Sequence, residues 1–436
     1  MKTIINNAFT MSRLMGESED CETPISLLIE GGVIRKVSAT PLDDSGCTII
    51  DANGHFLSPG LLDPQVHFRE PGLEYKEDIE SGSRAAVKGG FTAVVSMPNT
   101  SPTADTADVI TFMVNRAKER GLCKVYPTGA LSKGLAGETI TDFAALCSAG
   151  AIAITDDGKG VQNDALFAQA LSNAKALDVP VLDHSEDESL SNNGAIHEGI
   201  VSEKFKVPGI KSSSEAVHVE RGCRLSQLTG GHYHVLHVST KASIEAIKNA
   251  KAAGANVTVE VSPHHLLLCD EDIAVKKDGT LDANWKMNPP LRSREDMLAC
   301  RHALLDGTID AIATDHAPHA PHEKAQDIAS APFGIIGLET AFPLMYSHFV
   351  KSGQISLSTC IDLMSKKAGQ IFNISCGRIA VGEKADLALF DLKTPFDVTD
   401  NYFASKSKNS PFIGHTLFGE TVLTMVDGSV VYTRAS

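Results

Sequence analysis

Basic charge is what this sequence has least of. Only 39 Lys and Arg stand against 54 Asp and Glu, a net charge of −15 over 436 residues. That balance argues against a general binder of nucleic acid or of acidic membranes, whose affinity rests on basic patches. Long apolar runs are missing too: none approaches the roughly 18 residues of a membrane span. The opening MKTIINNAFTM lacks the apolar segment and small-residue cleavage site of a secretory signal. The nine cysteines (Cys21, Cys47, Cys123, Cys147, Cys223, Cys269, Cys300, Cys360 and Cys376) form no C-x-x-C pair, which disfavours a zinc ribbon or a disulfide framework. Reduced thiols in a cytoplasmic protein are the expectation. No internal repeat or low-complexity tract stands out. At 42% apolar and 21% charged, the composition is that of an ordinary globular protein rather than a disordered one.

What is present is an alternation. Eight short β-branched runs each end in a polar or Gly/Pro cluster: residues 61–67, 91–99, 123–131, 151–157, 179–187, 233–240, 257–265 and 311–319. Between them lie stretches such as DVITFMVNRAKERG and SIEAIKNAKAAG, with apolar residues at helical spacing and a closing Gly. Eight such units over about 280 residues fit a closed (β/α)8 TIM-type barrel better than an open doubly wound sheet. The ends read differently. SLLIEGGVIRKVSA carries a Gly-Gly hairpin signal, and TVLTMVDGSVVYT an Asp-Gly one. The expected organisation is therefore a β-rich segment at 1–57, a barrel at 58–375 and a second β-rich segment at 376–436. The two ends would complete one small β-sandwich. SKSKNSP, residues 405–411, reads as the most flexible loop.

In barrels the active site lies at the C-terminal ends of the strands, and here those ends collect His, Asp, Asn and Arg. Run one gives Asp63, Gln65, His67 and Arg69, all of one parity and so on one face of an extended chain. Run two ends in Met97-Pro98-Asn99, and run four in Asp156-Asp157. Run five carries His184, run six His237, and run eight Asp315, His316 and His319. A single His at a strand end is common; a convergence over five strands is not. Three histidines and two carboxylates at one mouth suit one or two divalent cations, imidazole favouring zinc.

The motifs DPQVHFREPG, MPNT, ITDDG, HVST, MNPPLR, ATDHAPH and PFGIIGLET occur in order between about Ser58 and Thr340. This set resembles that of the dihydroorotases of the longer bacterial type, within the amidohydrolase superfamily. The resemblance implies a zinc enzyme, with one or two Zn2+ per subunit, that interconverts N-carbamoyl-L-aspartate and (S)-dihydroorotate in pyrimidine (UMP) biosynthesis. It implies metal binding by His67, Asp157, His184 and His237, and a catalytic Asp315 acting as general base and then general acid. Two cations sharing a hydroxide would lower its pKa and supply the nucleophile. The substrate carboxylate would fall to Arg69, Asn99 and His319, a guanidinium fork matching a carboxylate in shape and charge. Asn288, Phe333 and Gly334 would contact the ring. The resemblance also allows a homodimer and an association with aspartate transcarbamoylase.

One position departs from the family pattern: the first His of the H-x-H on strand one is Gln65, a neutral amide and a poorer zinc ligand. A weak first metal, a mononuclear enzyme and an inactive scaffold for a partner are all compatible with that change. Residue chemistry alone leaves Asp156 and Asp157 as alternatives for the shared carboxylate; the motif match selects Asp157. Lys124, similar to the bridging lysine of another dihydroorotase type, reads as structural because it falls early in run three. His264 and His265 read as packing or hydrogen-bonding residues, and Gly72, Gly89 and Gly90 as turn residues. A hydantoinase or allantoinase activity is the competing enzyme reading. The carboxylate clamp and an Asp rather than a Lys on strand four argue against it.

Overall fold

Eight parallel strands follow one another around a closed barrel in the order of the chain. The computed structural model describes residues 2–43 and 46–435. Strand one is Leu61–Val66, strand two Phe91–Ser96, strand four Ile154–Thr155, strand five Val181–Asp183, strand six Tyr233–Val235, strand seven Val257–Val261 and strand eight Ala311–Ile312. Strand three is split into Lys124–Pro127, which pairs with strand two, and Gly129–Ala130, which pairs with strand four. The ring closes where the His67 N–H donates to the His316 carbonyl at 2.9 Å. This is the TIM-type architecture.

The strands are continuous apolar runs because both of their faces are covered. Small and branched side chains (Leu62, Ala93, Val95, Leu182, Leu236, Ala311) fill the interior. The outer faces pack on the surrounding helices, such as Asp164–Ala176 and Ser212–Thr229. Phe167 of the first meets Tyr233 of strand six edge to face, ring centroids 5.9 Å apart, and both are fully buried. Truncating such a ring to Ala costs about 3–5 kcal/mol. Asp78 starts the helix after strand one, accepting from the Ser81 N–H at 2.7 Å, and Asn163 caps the helix after strand four.

The ends of the chain combine into one eight-stranded sheet. Lys2–Met11, Glu22–Glu30, Val33–Ser38, Thr48–Asp51 and Phe56–Pro59 come from the first segment. Leu387–Asp391, Glu420–Val426 and Ser429–Thr433 come from the last. The two parts join where Leu387 faces Pro59 and Phe390 faces Phe56 in antiparallel register. The sheet then curls back, the Ile34 N–H donating to the Glu383 carbonyl at 2.9 Å, around a core of Ile5, Ile25, Leu27, Leu57, Leu387 and Met425. The Gly31-Gly32 and Asp427-Gly428 turns have positive φ at both positions, as tight hairpins require. Lys124 ties barrel to sheet, 2.5 Å from Asp386 and 3.3 Å from Asp427.

Three details differ from the sequence reading. The paired strands are shorter than the apolar runs, because the last residues of each run leave the ladder to line the mouth. His264 and His265 follow strand seven, and the chain there forms the short helix Pro263–Leu267, which Pro263 starts with its fixed φ, where the sequence reads as a loop end to the run. Residues 405–411 are not a loose loop: Ser405, Ser407, Asn409 and Ser410 are buried. Ser405 Oγ donates to Glu77, Ser407 Oγ to the Lys76 carbonyl, and the Asn409 amide to the carbonyls of Ala317 and Gly334 at 3.0 and 2.9 Å. Buried backbone acceptors, which composition does not reveal, hold this polar segment in place. No helix among the described residues is long and apolar enough to cross a membrane.

Candidate active site

The residues that follow the barrel strands surround one cavity of about 290 Å³. His67, Arg69, Asn99, Asp157, His184, His237, Asn288, Asp315, His319 and Phe333 all line it. Gly334 stands just behind the wall. Its carbonyl is held by Asn409, and a Cβ there would lie 2.4 Å from the Ala317 carbonyl oxygen. Among the candidates on run one, Asp63 turns instead into the barrel and accepts from Thr314 N and Oγ. The extended alternation ends at Val66, and Arg69 adopts φ 60°.

On one side of the cavity three buried groups converge. His184 Nδ1 and His237 Nε2 face each other at 3.0 Å, and Asp157 Oδ1 lies 3.9 and 3.7 Å from them. Two imidazole nitrogens and a carboxylate, all withdrawn from water, make a three-donor set suited to a tetrahedral cation that keeps a fourth position for water or substrate. Asp156, the other carboxylate of the pair, points away and accepts from Ser132 N and Oγ; burial lifts its pKa to about 6. Burial also opposes ionisation of Asp157, but the bond from His237 and the nearby imidazoles hold its carboxyl below the usual range.

The outer nitrogen of His184 is fixed by Glu186, 3.0 Å from Nε2. Burial opposes charge on that ring, but Glu186 outweighs it and raises the pKa to about 9. The contact of Nε2 with Glu186 turns Nδ1 toward Asp157 and His237, the geometry of a carboxylate behind a ligating imidazole. Glu186 also accepts from Asn288 Nδ2 at 2.8 Å, so one carboxylate holds the His184 ring and a cavity-lining amide together. The sequence reading missed Glu186, although it lies two residues beyond His184.

Between the two sides stands His67, its Nδ1 2.9 Å from Asn99 Oδ1 and its Nε2 3.0 Å from Asp315 Oδ1. The opposite wall is cationic. Arg69 is half-buried, and loss of solvent lowers its pKa to about 10; its Nε donates to the Pro318 carbonyl at 3.3 Å and its guanidinium lies 3.4 Å from His319 Nε2. Lys76 donates to His319 Nδ1 at 3.2 Å, so the ring's proton sits on Nε2, which donates to the Phe333 carbonyl at 2.7 Å. Burial and the charges of Arg69, Lys76 and Lys324 hold His319 neutral. Behind this wall Lys324 donates to the Pro332 carbonyl at 2.9 Å, and burial and Lys286 lower its pKa to about 7. Such a wall attracts an anion and aligns a carboxylate with the guanidinium. Lys124 lies at the other end of the barrel, in the ion pairs with Asp386 and Asp427, outside this cavity.

A model of the dihydro-orotase-like family matches residues 54–243. A curated dihydroorotase of Brevibacillus brevis is 49% identical over 411 residues, which is 94% of this chain and 95% of that protein. Another, from Halalkalibacterium halodurans, is 45% identical over 432 residues, covering 99% and 98%. Among solved structures, an L-hydantoinase (dihydropyrimidinase) from Arthrobacter aurescens superposes with a TM-score of 0.85 at 26% identity, over 100% of this chain and 96% of that one. A dihydropyrimidinase from Brevibacillus agri gives 0.85 at 23% identity, over 99% and 95%, a likeness of fold alone.

Proposed function

Since this chain belongs to the dihydroorotase family, enzymes of the pyrimidine pathway that hydrolyse cyclic amides, we propose that it interconverts N-carbamoyl-L-aspartate and (S)-dihydroorotate in the cytoplasm. Zinc is the proposed metal, at Asp157, His184 and His237. There it would supply Lewis acidity, lowering the pKa of a water and polarising the amide carbonyl.

The chain's own residues do the rest. Arg69, His319 and Asn99 receive the substrate carboxylate, which sets the ring between the cationic wall and the three-donor set. Asn288 and Phe333 border the ring. Asp315 accepts the proton of the attacking water and returns it to the departing ring nitrogen, and in the reverse direction it takes the proton from the closing amide. His67, hydrogen-bonded to Asp315 and Asn99, keeps the proton carrier and the carboxylate holder in register.

One observation carries this reading: Arg69 and His319 share a cavity with Asp157, His184 and His237. A carboxylate-bearing cyclic amide satisfies both walls, whereas dihydrouracil satisfies one. Metal-free protein titrated with zinc is expected to hydrolyse dihydroorotate and to leave dihydrouracil nearly untouched. Comparable turnover of dihydrouracil overturns the reading in favour of a hydantoinase-type activity. No turnover of either at any zinc level overturns it in favour of a silent scaffold.

A further inference from the structure

Gln65 is fully buried at the end of strand one. Its Nε2 donates to Asp157 Oδ1 at 3.1 Å, and its Oε1 is buried with no hydrogen-bond partner. Oδ1 is the Asp157 oxygen that faces His184 and His237, so the amide steadies the shared carboxylate toward that one set. To act as a ligand itself, Gln65 would have to turn its amide and give up this bond, offering in return a neutral oxygen that zinc takes poorly.

Asp157 Oδ2 beside it is also buried without a hydrogen-bond partner, but the imidazole on this side is engaged elsewhere. His67 Nε2 is 3.0 Å from Asp315 Oδ1 and 3.3 Å from Asp157 Oδ2, and His67 Nδ1 meets Asn99. A second cation on this side would have one imidazole and would have to break the bond between His67 and Asp315, taking the proton carrier as a ligand. Among the described residues, the set at the mouth that brings three ligand atoms within 4.8 Å of one another is Asp157, His184 and His237. The residues fit one cation and do not fit two.

We infer that this enzyme holds a single cation per chain, at Asp157, His184 and His237, with Gln65 acting as a hydrogen-bond donor in the place of a second metal's ligand. The inference rests on the metal reading made for the proposed function, and the experiment separates their failures. Zinc bound per chain is measured by equilibrium dialysis, with Asp157→Ala as the reference that subtracts zinc held elsewhere. The expected result is one site-specific equivalent for the natural protein and two for Gln65→His. Two equivalents in the natural protein, or one still in Gln65→His, overturns the single-cation inference and leaves the function standing. No site-specific zinc overturns both. A readout that needs no variant at position 65 is cobalt-substituted natural protein, whose electron paramagnetic resonance signal is expected at the full intensity of an isolated ion. The attenuated signal of a spin-coupled pair overturns the inference.

Discussion

Arg69, His237 and Asp315 have φ of 60°, 33° and 48°, the left-handed region that costs a non-glycine residue roughly 1–3 kcal/mol. Each lies just past a barrel strand, where this turn takes the chain off the ladder and over the mouth. Arg69 uses the turn to bring its guanidinium within 3.4 Å of His319. Arg69→Lys keeps the charge and loses the planar fork. It is expected to lower kcat/KM for dihydroorotate roughly thirtyfold, about 2 kcal/mol, mostly through KM. Steady-state kinetics checks this, and an unchanged KM would remove Arg69 from the carboxylate clamp. The strand-end His, Asp and Arg were legible in the sequence, because an apolar run that stops in ionisable residues is unusual and barrels place such ends together. Glu186 was not. It matters through His184 Nε2 and Asn288 Nδ2, and the second of these partners is 102 residues away.

Strand assignment from apolar runs found the right number and order of barrel strands but overstated their lengths. Run eight extends over 311–319, yet only Ala311 and Ile312 pair as a strand. Beyond them Asp315 and His319 line the cavity, and a run of hydrophobic pattern does not mark where strand pairing stops. The segment at 405–411 was misread for the opposite reason: its Ser, Lys and Asn look solvated, whereas Ser405 and Ser407 are held by Glu77 and the Lys76 carbonyl, and Asn409 by the backbone of the loops that carry His319 and Phe333. Asn409 crosslinks those two loops. Asn409→Ala leaves the Ala317 and Gly334 carbonyls without their donor and is expected to cost about 1–3 kcal/mol of stability. Because His319 and Phe333 are then less firmly placed, KM for dihydroorotate should rise more than kcat falls. Urea unfolding and kinetics on the same variant test both parts; a stability loss with unchanged KM would make Asn409 purely structural.

Across the whole molecule, stability is linked to pH through carboxyls enclosed by the barrel. Burial raises the pKa of Asp63 to about 8, against 3.8 for an unperturbed carboxyl. Between those values the folded state keeps a proton that the unfolded chain has lost. Its contribution is therefore full below about pH 4, declines as pH rises and is gone above about 8. Asp63→Asn cannot titrate, so the stability of the natural protein relative to this variant should fall steadily from pH 5 to pH 8. Urea midpoints at several pH values test it, and a flat difference would mean that Asp63 is ionised in the fold. The two hairpins of the end segments were plain in the sequence; their pairing into one sheet was an inference, since register between Phe56–Pro59 and Leu387–Asp391 leaves no local mark. That pairing also sets a timetable for synthesis. The first partner leaves the ribosome some 330 residues ahead of the second, about 20–60 s at 5–20 residues per second. Throughout that interval the Phe56–Pro59 edge has its backbone groups open to any strand that passes. A growing chain of this protein must therefore be sheltered, or kept dilute, until its last strands arrive.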